Sequence, residues 1–165
     1  MRRRLPWGAA AVLAALGGVL QAGDFEVRIG LANAHLLEVF FGCSANATAG
    51  YDRDVDQFAP PPGIATGFVG FLPPAGLPLF YKDIRGPGGP QEWRLSVRAA
   101  TDRPVRLSWD PKALPAGWAF TITQAERTVS MAETAALAVN GTATLAIRAA
   151  PTPANTPPQK QVQAP

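Results

Sequence analysis

The sequence predicts an all-β protein, an immunoglobulin-like antiparallel β-sandwich of about seven to nine strands. Short segments in which apolar and polar residues alternate recur along the chain, and turns rich in Gly and Pro separate them. No segment after the first twenty or so residues sustains a helical period, except residues 131–138, where we favour a β-hairpin arm. We expect the sandwich to span residues 24–149, between a signal peptide (1–22) and a disordered Pro/Gln-rich tail (150–165).

The first segment has the three regions of a secretory signal peptide. Arginines occupy positions 2–4, residues 9–20 are almost wholly apolar, and small residues follow at 21–23. An apolar run of about a dozen residues is shorter than the roughly 20 that cross a bilayer. We therefore predict cleavage near Ala22, no stable membrane insertion afterwards, and a location in the cell envelope or outside the cell.

The charge balance argues against a nucleic-acid partner. The chain has 15 Lys and Arg against 12 Asp and Glu, and three of the arginines belong to the signal peptide. The mature protein is then neutral, whereas affinity for phosphate depends on a surplus of clustered cations. Strand arginines such as Arg94, Arg98, Arg103 and Arg106 are interpreted as the solvated half of an alternation.

The predicted strands follow one another at close spacing. In the first, Phe25, Val27 and Ile29 alternate with polar residues, which is typical of a half-buried strand. The second is more apolar and covers residues 36–41. The remaining seven are residues 68–72, 77–84, 93–97, 105–109, 118–122, 129–131 and 143–147.

A long loop is predicted over residues 42–63. It has three glycines, three consecutive prolines at 60–62 and an acidic run. Loops of this length in a small domain are uncommon and are often functional, and loops on rigid scaffolds commonly carry binding. We predict it as the contact surface, with Tyr51, Gln57 and Phe58 as its binding residues.

The acidic run suggests calcium as the one cofactor to consider. Asp52, Asp54 and Asp56 alternate as the first ligands of a calcium loop do. The rest of the EF-hand pattern fails. Counted from Asp52, Gln57 stands at the sixth position, where the loop needs Gly, and Gly63 at the twelfth, where it needs Glu. An irregular calcium site and a solvated acidic loop remain the alternatives, and we favour the loop, without a cofactor.

Tryptophans raise the alternative of carbohydrate binding. Trp93 and Trp109 fall in phase with Leu95 and Leu107 on their strands, which places them in the core. Trp118 lies beside a turn and is the candidate exposed aromatic that could stack against a sugar ring.

Catalysis is the weakest hypothesis. The only histidine, His35, would have to act as a base for Cys43 or Ser44, and the sequence offers neither an orienting acid nor an oxyanion site. We therefore predict that the chain is not an enzyme. The lone Cys43 is predicted to be buried, because residues 39–42 before it form a core strand.

Two blocks of sequence look familiar together. They are Phe-Gly-Cys-Ser-Ala-Asn-Ala-Thr-Ala-Gly-Tyr-Asp at 41–52, leading to the prolines at 60–62, and Leu-Ser-Trp-Asp-Pro at 107–111, followed by residues 114–117 and 120–123. This pattern resembles an uncharacterised family of exported bacterial β-sandwich modules, often found with cell-surface sorting or dockerin-like sequences. The resemblance implies extracellular display and no catalytic residues.

These observations predict a non-catalytic exported interaction or structural module. Its expected partners are other extracellular or envelope proteins. A calcium- or carbohydrate-binding module is the alternative, and a small hydrolase is less favoured.

Overall fold

A computed structural model describes residues 24–61 and 67–152 of the protein, and within these ranges the chain is all-β. The predicted signal peptide and most of the predicted tail lie outside the described residues. One short 3₁₀ turn, Pro111–Ala113, begins at Asp110, whose side chain accepts the N–H of Lys112. The strands are β1 Phe25–Ala32, β2 Glu38–Cys43, β3 Gln57–Phe58, β4 Phe68–Phe71, β5 Phe80–Arg85, β6 Gln91–Arg98, β7 Val105–Ser108, β8 Trp118–Gln124, β9 Arg127–Ser130, β10 Ala136–Val139 and β11 Thr142–Pro151.

All eleven strands belong to one curled, mixed sheet. The order is β10-β7-β1-β2-β5-β4-β6-β11-β8-β9, and β3 pairs with β5. The prediction of a purely antiparallel sheet is wrong at one place, because β2 and β5 run parallel, with Phe41 opposite Asp83. Parallel neighbours need a long crossover, and residues 44–79, including β3 and β4, provide it here.

The core lies on the concave side of this sheet. Alternate residues of the strands are buried, as in β6, where Trp93, Leu95 and Val97 have no exposed surface. Phe25 of β1 meets rings on strands far along the sheet order, with centroid distances of 6.4 Å to Trp93 and 5.6 Å to Phe120. The sheet therefore curls until its two halves share one core.

The structure differs from the predicted elements in several bounds and in strand number. The pattern did not reveal β3, the β-hairpin arm favoured over 131–138 is the short strand β10, and the strands outnumber the seven to nine expected. Strand β2 spans 38–43 rather than 36–41. Strand β11 continues to Pro151, so the first two residues of the predicted tail pair with β8.

Candidate functional site

Residues 44–59, which follow β2, are bound along β5 rather than free in solvent. At its start the N–H of Ser44 donates to the carbonyl of Arg85 at 2.9 Å, and further on the N–H of Ala59 donates to that of Leu79 at 2.7 Å. Between these anchors, β3 pairs with β5. The predicted binding loop is thus a structured cover over this strand, which we call the β5 cover (residues 44–59).

A glycine allows the cover to lie close to the strand end. The N–H of Gly86 donates to the carbonyl of Thr48 at 2.9 Å. A Cβ at position 86 would lie 2.6 Å from the carbonyl oxygen of Ala47, which is closer than real Cβ atoms come. Any larger residue would therefore push the cover away from β5.

Asp52 closes a tight turn at the start of the acidic run. Its carboxylate accepts both the N–H and the hydroxyl of Thr48, at 2.5 and 2.9 Å. Its own carbonyl accepts the N–H groups of Val55 and Asp56 at 3.0 and 2.8 Å. The first acidic residue of the run is therefore an organiser of the local backbone.

Asp56 attaches this turn to β5. Its side chain is 3% exposed, and its two oxygens accept the main-chain N–H groups of Ile84 and Asp52, each at 2.8 Å. A buried carboxylate with two main-chain donors is a satisfied structural group.

The three aspartates do not form a shared ligand set. Asp52 and Asp56 interact with main-chain donors, and Asp54 is exposed. Across the described ranges, no group of three or more His, Cys, Asp or Glu side chains is placed to hold a metal ion. Calcium takes about 6–8 oxygen ligands around one ion, whereas Asp52 and Asp56 each direct carboxylate oxygens at N–H groups of the backbone.

Two exposed aromatic rings lie on the outside of the β5 cover. Tyr51 and Phe58 are 38% and 40% exposed and stack on one another with centroids 4.9 Å apart. Both rest on Phe80 of β5, which is 1% exposed, at 5.7 and 5.3 Å. We call Tyr51, Phe58 and the supporting Phe80 the aromatic patch.

A polar contact fixes the strand that carries one of these rings. The hydroxyl of Tyr81 donates to the side-chain oxygen of Gln57, the residue before Phe58. All three predicted binding residues, Tyr51, Gln57 and Phe58, are therefore exposed and lie on the same cover. Among the described residues, the other exposed large apolar side chains are Leu37 and Leu77.

Sequence reasoning missed the support of the patch. Phe80 and Tyr81 fall inside a segment interpreted as one apolar strand, so nothing marked them as partners of a loop more than 20 residues earlier. The aromatic pair Phe-Tyr directly before Lys82 is the one signal in the sequence. It could not have shown which loop the two rings contact.

Strand β5 also carries a partly buried ion pair. The guanidinium of Arg85 contacts both carboxylate oxygens of Asp83 at 3.1 and 3.2 Å, and lies 5.6 Å from the ring centre of Trp93. Asp83 is buried, and burial raises the pKa of its carboxyl although the Arg85 charge opposes the shift.

Two of the tryptophans lie in the core, as the alternation predicted. Trp93 and Trp109 are buried, and the indole Nε1 of Trp109 donates to the carbonyl of Met131 at 2.8 Å. Trp118, the candidate exposed aromatic, is half-buried, with its ring 5.1 Å from that of Phe25. Its exposed fraction is lower than that of Tyr51 or Phe58.

The residues of the hydrolase hypothesis are far apart. His35 precedes β2 and stacks on Phe68 at 4.8 Å, whereas Cys43 ends that strand. The five residue steps of β2 alone separate them by about 17 Å. Cys43 is buried, as predicted, and burial raises the pKa of its thiol to about 11, which suppresses the thiolate.

A cleft lies away from the patch. It encloses about 560 Å³ between β1, β7 and the 3₁₀ turn. Its polar groups already have protein partners: Arg28 pairs with Glu38 at 2.5 Å, and Asp110 accepts the N–H of Lys112 at 2.9 Å. This cleft therefore offers few free groups to a ligand.

In the ranges 24–61 and 67–152, no helix combines the length and the apolar character needed to cross a membrane. No family model, no curated protein and no solved structure matches the chain.

Proposed function

We propose that the chain is a non-catalytic interaction module, exported to the cell envelope or the extracellular space, that holds another protein through the aromatic patch. The observation that supports it most is the stacking of the exposed rings of Tyr51 and Phe58 on the buried ring of Phe80. Aromatic side chains are enriched at the energetic centres of protein interfaces.

The rigidity of the patch favours binding. Asp52 and Asp56 hold the backbone that carries Tyr51, and β3 pairing with β5 holds Phe58. A side chain that is already ordered loses less entropy when a partner binds, a saving of about 0.5–1.5 kcal/mol for each one. The rings are therefore available as preformed anchors.

The export part of the proposal rests on sequence. The cationic, apolar and small-residue regions of positions 1–23 are typical of a secretory signal, and the remaining charge is balanced. The resemblance to exported bacterial modules supports the same location. The aromatic patch carries no charge, whereas binding of a nucleic acid depends on cations that neutralise its phosphates. A protein partner therefore suits the patch better.

We also propose that the curled sheet is an immunoglobulin-like sandwich. The contacts of Phe25 with Trp93 and Phe120 support two facing halves. The parallel pair β2–β5 and the unbroken hydrogen-bonded order would then be this chain's departures from that arrangement.

The experiment replaces the exposed rings without disturbing the cover. Deleting residues 52–62 would remove Asp56 and its bond to Ile84, so point substitutions are preferable. A photo-crosslinking phenylalanine analogue at position 51 or 58 of the mature chain, expressed in the producing cells, should form a discrete crosslinked product. The same analogue at Leu37, an exposed leucine outside the patch, is the matched control.

The outcomes separate clearly. We expect a crosslinked product from positions 51 and 58 and none from position 37. An analogue placed at a position next to the patch should form the same product. That product should be lost when Tyr51→Ser and Phe58→Ser are combined. Equal products from all three positions, or none from the patch, would contradict the proposal.

Carbohydrate is a second candidate ligand for the same rings. The exposed ring of Tyr51, stacked on Phe58, offers a stacking surface, and the exposed Gln57 next to Phe58 in sequence offers an amide. Binding of purified cell-surface glycans to the mature protein, measured by calorimetry with Tyr51→Ser as the control, tests it. Heat of binding that disappears in Tyr51→Ser would favour sugar over protein.

A further inference from the structure

Strand β10 forms one edge of the sheet and, among the described strands, pairs only with β7. The N–H of Trp109 donates to the carbonyl of Ala135 at 2.9 Å, and this bond sets the phase of the ladder. In an antiparallel pair, residues that exchange hydrogen bonds alternate with residues that do not. Leu137 and Val139 therefore bond to β7, and the main-chain groups of Ala136 and Ala138 face away from it.

Within residues 24–61 and 67–152, this edge lacks charges, prolines and bulges. Natural sheets guard their edges with charged side chains, prolines or bulges. The sequence of β10 is Ala-Leu-Ala-Val, with no charge and no proline, and its pairing with β7 is regular. The opposite edge, β9, begins with Arg127 and continues with exposed Thr128.

The side chains of β10 leave its outer flank accessible. Leu137 and Val139 are buried in the core, whereas Ala138 is exposed and Ala136 is half-buried. Alanine is small enough for another strand to approach without a clash. An open row of N–H and C=O groups between small side chains is a template for strand addition.

We propose that β10 pairs antiparallel with the β10 of a second copy of the chain, about a two-fold axis at Ala138, so that one sheet continues across the dimer. A second copy suits the edge because of the register that this pairing gives. Leu137 lies opposite Val139, so two apolar side chains meet. Ala136 lies opposite Asn140, so a small side chain faces a polar one. The same outward main-chain groups serve both copies, as an isologous contact requires.

Charge does not oppose this pairing. The nearest strand cation on the outer face is Arg106 of β7, opposite Ala138. The Arg106 residues of the two copies would be three strand spacings apart, about 14 Å, which exceeds the Debye length of about 8–10 Å in physiological salt. β9 could not pair with itself as easily, because it carries Arg127.

The dimer would leave the aromatic patch free. Strand β5 stands four places from β10 in the sheet order, so neither Tyr51 nor Phe58 lies at the proposed interface. Each dimer would present two patches, and a partner with repeated sites would gain avidity. The dimer does not depend on the patch, and each can fail without the other.

The first test measures the oligomeric state of the mature chain by sedimentation velocity, at protein concentrations from micromolar to near-millimolar. We expect a monomer–dimer equilibrium. Ala138→Lys should raise the dimer dissociation constant at least about tenfold, because a charge on each copy would meet its twin at the axis. Thr128→Lys, on the opposite edge, is the matched control and should dimerise like the unchanged protein.

The second test remains informative if Ala138→Lys folds poorly. Directly opposed residues of a hydrogen-bonded antiparallel pair have Cα atoms about 5.5 Å apart, which is within the range of about 4.4–6.8 Å that a disulfide spans. Ala138→Cys in a Cys43→Ala background should oxidise to a covalent dimer, and Thr128→Cys in the same background should not.

Three outcomes would overturn the proposal. The unchanged protein could stay monomeric at every concentration, or a dimer could persist unaltered in Ala138→Lys. In the third, the unchanged protein is a monomer whose β10 photo-crosslinks to a different protein, and Ala138→Lys abolishes that crosslink. This result would assign the edge to the other protein.

Discussion

The buried carboxylate of Asp56 accepts the main-chain N–H of Ile84 at 2.8 Å, across 28 residues of chain. This contact attaches the β5 cover to the strand beneath it. The second oxygen of Asp56 accepts the N–H of Asp52, which in turn organises Thr48. One side chain therefore connects the strand, the turn and the segment that carries Tyr51.

Asp56→Ala is expected to lower the free energy of unfolding by about 2–4 kcal/mol, because two main-chain N–H groups lose their acceptor. Asp56→Asn keeps one acceptor oxygen and should cost less. Urea denaturation followed by tryptophan fluorescence measures the change. Asp54→Ala is the control, since Asp54 is exposed and should alter stability by no more than about 0.5 kcal/mol. Equal losses in Asp54→Ala and Asp56→Ala would contradict the assignment.

Calcium should leave the melting temperature of the mature protein unchanged relative to chelator. Main-chain donors already use the carboxylates of Asp52 and Asp56. A site saturated with calcium at about 100 times its dissociation constant would add about 2.7 kcal/mol, a shift of several degrees that calorimetry detects easily. A rise of that size, abolished by Asp54→Ala, would restore the calcium hypothesis.

The two phenylalanines of the aromatic patch should respond very differently to truncation. Phe80→Ala is expected to cost about 3–5 kcal/mol of unfolding free energy, because it empties a buried site. Phe58→Ala should cost about 1 kcal/mol or less, since 40% of the residue is already in solvent. Equilibrium denaturation of both variants measures the contrast. A loss at Phe58 as large as that at Phe80 would mean that its ring serves the fold rather than binding.

Alternation of apolar and polar residues was enough to predict part of the fold. In β1, β6 and β7 a two-residue period decides which face is buried, and the structure confirms the core positions of Trp93 and Trp109. The sequence placed Tyr51 and Phe58 in a surface loop, and both side chains are exposed in the structure. These features depend on neighbours in sequence, which a pattern can reveal.

The remainder depends on contacts between distant segments. Strand β3 has two residues and exists because β5 offers it partners. Strand β10 is rich in alanine, which has a weak strand preference, so the sequence indicated a hairpin arm there without its bounds or its partner β7. The parallel pair β2–β5 and the support of Phe80 under the patch likewise join residues that no local pattern relates.

Cys43 should be nearly inert in the native protein. With its thiol pKa raised to about 11 from 9.0, the thiolate fraction at pH 8 falls about 100-fold, and burial blocks access further. Reaction with a disulfide reagent, followed with and without denaturant, should show at least this ratio of rates. Rapid labelling of the folded chain would mean that the end of β2 opens readily.

Acidification should reveal the burial of Asp83. Because its folded-state pKa lies above the ordinary 3.8, the native protein binds more protons than the unfolded chain in the window above 3.8. The contribution of Asp83 to stability is therefore smallest at neutral pH and increases as the pH falls through the folded-state pKa. Asp83→Asn lacks this titration but leaves Arg85 without its partner at every pH. The unfolding free energy of the unchanged protein minus that of Asp83→Asn should rise between pH 7 and pH 4, as measured by urea denaturation, and other carboxyls cancel in that difference. A difference that falls with acid would show that the attraction of Arg85 outweighs the cost of burial.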